Sequence, residues 1–153
     1  MKRIVIAVLA TVAVGFLSGL ATAASIDNWY ATINRPWFAP PNWVFGPVWT
    51  MLYILMGIAA GKVWNKGADR ADVRRALGFY GAQLLLNAAW SIIFFGLHAM
   101  GWALAEMAVL WMLIIATMFA FNRVERVSAW LLLPYIIWVS FALILNAAYV
   151  QLN

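Results

Sequence analysis

The chain has 153 residues, 67% of them hydrophobic and only 10% charged, with a formal net charge of +5. Soluble domains carry roughly 45–50% apolar residues, and a fold of this length cannot bury so large an excess, so the composition indicates one membrane domain. With no cysteine and His98 as the single histidine, disulfides, thiolate catalysis, sulfur-ligated zinc and polyhistidine metal sites are excluded within one chain. The basic excess does not indicate nucleic acid as a partner, because the basic residues flank apolar runs of membrane length and read as topology determinants.

Residues 4–26 carry no charge and follow Lys2 and Arg3. A basic start, an apolar core and Ala21-Thr22-Ala23 before Ala24 fit a secretory signal peptide. The run is long for that role, however, and its loss would leave four spans. We expect a retained first helix over 4–24, with Gly15 and Gly19 spaced as in a small-residue helix contact.

Residues 25–42 form the outer aromatic loop. Pro36, Pro40 and Pro41 oppose a regular helix, since proline fixes φ and lacks the N–H that a helix interior needs. Trp29, Trp37 and Trp43 carry too much aromatic surface for a loop in open water. The segment is expected to fold rigidly against the bundle and to cover whatever the bundle binds.

The second span is predicted at 43–61, with Pro47 near the helix start, and a polar, exposed connection follows from Lys62 to Arg75. The third covers 77–97. His98 and Gly101 lie in a short turn, so the fourth span, 102–121, is its antiparallel neighbour and contains one acid, Glu106, read as an interfacial carboxylate that reaches water. Arg123, Glu125 and Arg126 mark the next turn. The fifth span covers 128–149, and Pro134 is expected to bend it. The fold class is therefore an all-α integral membrane bundle of five transmembrane helices, a single domain over 1–153.

Nine of the ten basic residues fall on one side of this bundle and only Arg35 on the other. The positive-inside rule then places the N-terminus in the cytoplasm and the aromatic loop and C-terminus outside. Apolar helices with this bias indicate a bacterial inner membrane and argue against an outer-membrane barrel.

Gln83, Asn87 and Trp90 share one face of the third helix, with Phe94 a turn further. Side-chain amides in hydrocarbon are costly unless paired, so they point inward, either to cross-link helices or to meet a ligand. Phe45, Trp49 and Tyr53 recur at four-residue spacing on the second helix. Tyr135, Trp138, Ala142, Asn146 and Tyr149 lie close to one face of the fifth. Trp43, Trp102, Trp130 and Tyr149 are explained as interfacial anchors. Trp49, Trp90 and Trp138 sit deeper, where they serve helix packing or an aromatic-walled pocket for a large, flat, apolar ligand.

These residues resemble a known family. Trp29-Tyr30, Pro36-Trp37, Pro40-Pro41, Phe45, Trp49 and Tyr53 are similar to the first-loop and second-helix signature of the tryptophan-rich sensory protein and mitochondrial translocator protein family, also called peripheral benzodiazepine receptors. Phe79-Tyr80, Gln83, Asn87 and Trp90 resemble its third-helix motif, and Pro134-Tyr135, Trp138 and Asn146 its fifth. The resemblance implies a five-helix bundle, usually a homodimer, with a retained first helix and a pocket beneath the first loop. It implies binding of porphyrins such as protoporphyrin IX as a ligand, with no tightly bound cofactor. By position, Trp49, Asn87, Trp90 and Trp138 match residues of the family's pocket, and Trp29, Tyr30, Trp37 and Pro41 match its lid. The family's cholesterol pattern needs a basic residue after the tyrosine, and Tyr149 is followed by Val150, Gln151, Leu152 and Asn153, which argues against sterol binding.

The expected function is that of a tetrapyrrole-binding sensor or regulator, with Trp49 and Trp138 bracketing the macrocycle and Asn87 and Gln83 meeting its polar groups. Bacterial relatives are linked to control of tetrapyrrole and stress responses, and light-dependent porphyrin degradation is reported for some. No hydrolytic triad or metal centre is evident, so catalysis would depend on the ligand's own photochemistry. Transport of porphyrin or another apolar metabolite is the first alternative, although neither repeated halves nor broken helices support it. A structural or partner-binding bundle is the second, with Gly78, Gly81 and Ala82 on the third helix as candidates for a homodimer contact.

Overall fold

The computed structural model describes residues 1–153. Water is absent from a bilayer core, so backbone N–H and C=O groups must be satisfied within the chain, and here helices do this throughout. They are α1 (Lys2–Ile26), α2 (Trp29–Thr32), α3 (Asn42–Asn65), α4 (Ala71–Ser91), α5 (Met100–Val124), α6 (Arg126–Leu131) and α7 (Leu133–Leu152). A π-wound turn, Ile92–Gly96, prolongs α4. Five segments are long and apolar enough to cross a membrane: α1, α3, α4 with its π turn, α5, and α6 with α7.

Three local details differ from expectation. The aromatic loop contains one helical turn, α2, which ends before Pro36 and so escapes the proline constraint. The polar connection shrinks to Lys66–Arg70, because Lys62 lies in the last turn of α3 and Asp72 in the first turn of α4, where end charges complement the helix dipole. Pro134 does not bend a continuous helix. The chain turns at Leu132, and Pro134 sits in the first turn of α7, where no intrahelical N–H is missed.

The bundle has two apolar cores. The larger contains Met56, Ala59, Val63, Val73, Ile114 and Phe121 on the side of the N-terminus. There α1 meets α3 backbone to backbone: a Cβ built on Gly57 would lie 2.5 Å from the Cα of Val8, and one on Gly61 would collide with Ile4. The smaller core, beneath the aromatic loop, joins Tyr30, Phe94, Phe95, Ala103, Leu145 and Tyr149. The wider π turn lets the consecutive Phe94 and Phe95 both turn inward.

Candidate functional site

Between the two cores lies a cavity of about 580 Å³, within the roughly 300–1,000 Å³ range of small-molecule pockets. Residues from α1, α3, α4, α5 and α7 line it, and Tyr30 closes it from the loop side. Aromatic rings shape its walls. Trp49 stacks on Tyr53 with centroids 5.5 Å apart and stands edge-on to Tyr135 at 6.3 Å. Phe45 stands edge-on to Trp138 at 6.1 Å, and Trp90 stacks on Phe94 at 5.0 Å.

A chain of hydrogen bonds supports one wall. The Tyr53 hydroxyl donates to Asn87 Oδ1 at 2.7 Å, Asn87 Nδ2 donates to Tyr135 Oη at 2.8 Å, and the Tyr135 hydroxyl donates to Gln83 Oε1 at 2.8 Å. Trp90 Nε1 donates to Asn146 Oδ1 at 3.0 Å, while Asn146 Nδ2 donates to the Met100 carbonyl at 3.1 Å. Asn87 and Asn146 thus have both ends of the amide engaged, which keeps these polar groups tolerable in an apolar environment. Among the cavity-lining residues, Trp138 has a buried Nε1–H without a partner. The Trp138 ring thus lines the cavity while its N–H is enclosed and unbonded.

The expected site residues divide into two groups. Tyr30, Trp49, Tyr53, Asn87, Trp90 and Trp138 line the cavity together. Gln83 does not: it lies one turn before Asn87 in α4, bonded to Tyr135, and its Nε2 has no partner. Its place is that of a cross-link between helices. Trp29, Trp37 and Pro41 also lie off the cavity wall. The Trp29 ring stacks on His98 at 4.2 Å, Trp37 is 95% exposed, and Pro41 precedes the first residue of α3.

Several lining residues were not singled out by the sequence. Val12, Ser18, Thr22 and Ile26 make α1 a wall of the cavity, and Met107 and Leu110 contribute from α5. The uniform apolarity of α1 hides which face turns inward. Two single residues behave differently from expectation. Tyr149 is no interfacial anchor but is buried against Tyr30. Glu106 does not reach water through its carboxylate, since both oxygens are buried and without a partner.

The loop over the cavity is held at several points. Tyr30 and Tyr149 share a hydroxyl hydrogen bond of 2.6 Å. The Asn34 backbone N–H donates to Asn153 Oδ1 at 2.9 Å, and Asn153 Nδ2 donates back to the Asn34 carbonyl at 3.0 Å. Arg35 donates to the Pro40 carbonyl at 2.8 Å and lies 5.6 Å from the centre of the Tyr30 ring, a cation–π distance. Burial, reinforced by the hydrogen bond shared with Tyr149, pushes the Tyr30 phenol well above its ordinary pKa. It therefore remains a neutral hydrogen-bonding group.

The sequence matches one protein family along nearly its whole length. The TspO/MBR family model matches residues 7–152. The chain is 41% identical to the tryptophan-rich protein TspO of Chlorobaculum tepidum, over 92% of this chain and 89% of the relative. It is 42% identical to the tryptophan-rich sensory protein of Cereibacter sphaeroides, covering 83% of this chain and 78% of that one. Identity to the human translocator protein is also 42%, over 78% and 71% of the two chains. A match spanning the bundle from α1 to α7, with relatives at this level of identity, shows that this integral membrane protein belongs to the TspO/MBR family.

Proposed function

We propose that the protein is a sensor or regulator that binds a tetrapyrrole, protoporphyrin IX or a close relative, in the cavity beneath the aromatic loop. The observation that carries this reading is the wall of Trp49, Tyr53, Trp90 and Trp138 around a cavity of about 580 Å³. Flat aromatic ligands are held by stacking and burial against such walls. On this reading the protein sits in a bacterial inner membrane with its N-terminus in the cytoplasm, following the distribution of its basic residues. A homodimer would use the face of α4 that carries Gly78 and Ala82, both exposed.

The same arrangement supports a photochemical outcome. Trp49 or Trp138 can give one electron to a photoexcited macrocycle, which leaves a one-electron-reduced ligand and an indole radical cation. Light-dependent breakdown of the ligand would begin from that pair. Transport across the membrane has less support, because below Tyr53 the bundle closes into the larger core, with α1 and α3 in backbone contact at Gly57 and Gly61.

The test is a tryptophan-fluorescence titration with protoporphyrin IX, in darkness, on the protein in lipid nanodiscs. Saturable binding that weakens roughly tenfold in Trp138→Phe, the loss of part of one stacking face, supports the assignment. Linear quenching that is unchanged in Trp138→Phe and Trp49→Phe indicates partition into lipid and refutes it.

A further inference from the structure

The cavity wall is not closed all round, and its exposed residues are not scattered. Phe16, Gly19, Leu20 and Ala23 of α1, with Gly46 and Thr50 of α3 and Asn42 at its outer end, both line the cavity and lie on the surface. Every lining residue from α4, α5 and α7 is buried or half-buried. The opening is therefore a slot between the loop-side halves of α1 and α3.

The glycines explain its position. On the N-terminal side Gly57 and Gly61 bring α3 against the backbone of α1, and midway Gly15 accommodates the Tyr53 ring. Beyond that level the two helices part: a Cβ on Gly19 or on Gly46 would meet nothing within 4 Å. Burial along α3 follows the same course. No residue from Asn42 to Met51 is buried, whereas Leu52, Tyr53, Met56, Gly57, Ala59, Ala60, Gly61 and Val63 are. Small residues permit close backbone approach, and in α1 and α3 that approach is confined to one half of the pair.

We propose that ligands reach the cavity sideways, from the lipid, through this slot, with Gly19 and Gly46 as its two rims, and that the aromatic loop stays shut during passage. The rim is chemically suited to an apolar, flat solute. Phe16, Leu20 and Ala23 carry no polar side-chain atoms, and the Thr50 hydroxyl is satisfied by the Gly46 carbonyl at 2.8 Å. A solute dissolved in the bilayer that passes between Phe16, Leu20 and Thr50 thus uncovers no unpaired polar group, and the Asn42 amide stands only at the outer end of the slot. The route through the loop would require breaking the Tyr30–Tyr149 bond and both Asn34–Asn153 bonds. The choice of a tetrapyrrole as the natural passenger rests on the function proposed above; the slot itself does not.

The chain has no native cysteine, so a thiol placed in the cavity reports the route alone. Ala142→Cys puts it on the α7 wall. The probe is pyrenyl maleimide dissolved in nanodisc lipid, and labelling is followed by pyrene fluorescence. Gly19→Leu and Gly46→Leu, singly and together, fill the slot at positions where a side chain meets open space. A second background adds Asn34→Cys and Asn153→Cys, whose two thiols an added water-soluble oxidant joins into a disulfide that locks the loop; the pairing is verified by mass spectrometry and the remaining reduced thiol of Ala142→Cys is then labelled. The expected result is labelling slowed by about tenfold or more in the double leucine variant, as for a blocked gate, and unchanged by the locked loop. Unchanged labelling in both single variants and the double variant, or labelling abolished by the locked loop, overturns the proposal.

Protoporphyrin IX is then delivered from preloaded vesicles in darkness to the wild type and the double leucine variant. A gate changes association and dissociation rates by the same factor and leaves the Kd in place. A raised Kd at unchanged association rate makes Gly19 and Gly46 ordinary contacts of the site and refutes the gate. If the maleimide result holds while the wild type shows no saturable porphyrin binding, the slot stands and the tetrapyrrole reading fails.

Discussion

Tyr30 in the aromatic loop and Tyr149 near the end of α7 are 119 residues apart in sequence and share a buried hydroxyl hydrogen bond of 2.6 Å. This bond ties the cover of the cavity to its wall. Tyr30→Phe leaves the Tyr149 hydroxyl without that partner and should cost about 1–2 kcal/mol of stability, since an orphaned buried group costs more than a hydrogen bond contributes. Tyr30→Phe/Tyr149→Phe should recover part of the loss, which a double-mutant cycle on thermal melts would measure. The pH dependence has a definite sign. A phenol whose folded pKa is raised contributes stability that is fully present below its unfolded pKa of about 10 and is lost as pH rises toward the folded value. The protection factor of the loop amides, the exchange rate taken relative to the intrinsic rate at each pH, should therefore stay flat through neutral pH and fall only in alkali, and Tyr30→Phe should remove the part of that alkaline step due to Tyr30.

Gly57→Ala should separate α1 from α3. The added methyl would stand 2.5 Å from the Val8 Cα, a backbone atom with no rotamer to yield, and overpacking of this kind costs typically about 1–3 kcal/mol. Gly19→Ala meets nothing and exchanges a poor helix former for a good one, so it should gain up to about 1 kcal/mol. Melting temperatures of the two variants in the same detergent should move in opposite directions.

Glu106→Leu should raise the melting temperature. Both carboxylate oxygens are buried without a hydrogen-bond partner, and replacing an uncompensated polar group by an apolar one of similar size relieves a desolvation cost of about 1–3 kcal/mol. A fall in melting temperature would show that the carboxylate has a stabilising partner in the membrane.

Lys66 and Glu125 join the end of α3 to the start of α6 through an ion pair of 2.6 Å on the side of the N-terminus. The hydrogen bond from Lys66, the largest effect, holds the Glu125 carboxyl below its ordinary pKa, with the Lys66 charge adding to it. Stability from such a depressed carboxylate is present above the unfolded pKa of about 4.3 and is lost as pH falls through the folded value. Glu125→Gln should therefore diminish the acid-side decline in melting temperature and leave neutral-pH behaviour almost unchanged, because Lys66 is substantially exposed and the pair is screened by water.

The five spans were legible because length and apolarity are local properties: a run without charge that is long enough to cross the hydrocarbon can be read from the residues that form it. The aromatic cluster around Trp49, Asn87 and Trp138 was also legible, because helical spacing places residues three and four apart on one face. Helix ends were less so. Charge suggested a connection from Lys62 to Arg75, whereas hydrogen bonding continues the helices until only Lys66–Arg70 remains.

Sequence by itself determined that this chain forms an apolar helical bundle with an aromatic loop and inward-facing amides. Only the tertiary structure decided that Gln83 bonds to Tyr135 while Asn87 reaches the cavity, that Tyr149 turns in to meet Tyr30, and that Gly15 packs where Gly19 stands open. The physical reason is that spacing along one helix defines a face, but not the neighbour that face meets or how far away it lies. Those depend on the rotation and separation of helices distant in sequence, and here the approach of α1 to α3 at Gly57 and Gly61 closes one half of the pair and leaves the other parted over the cavity.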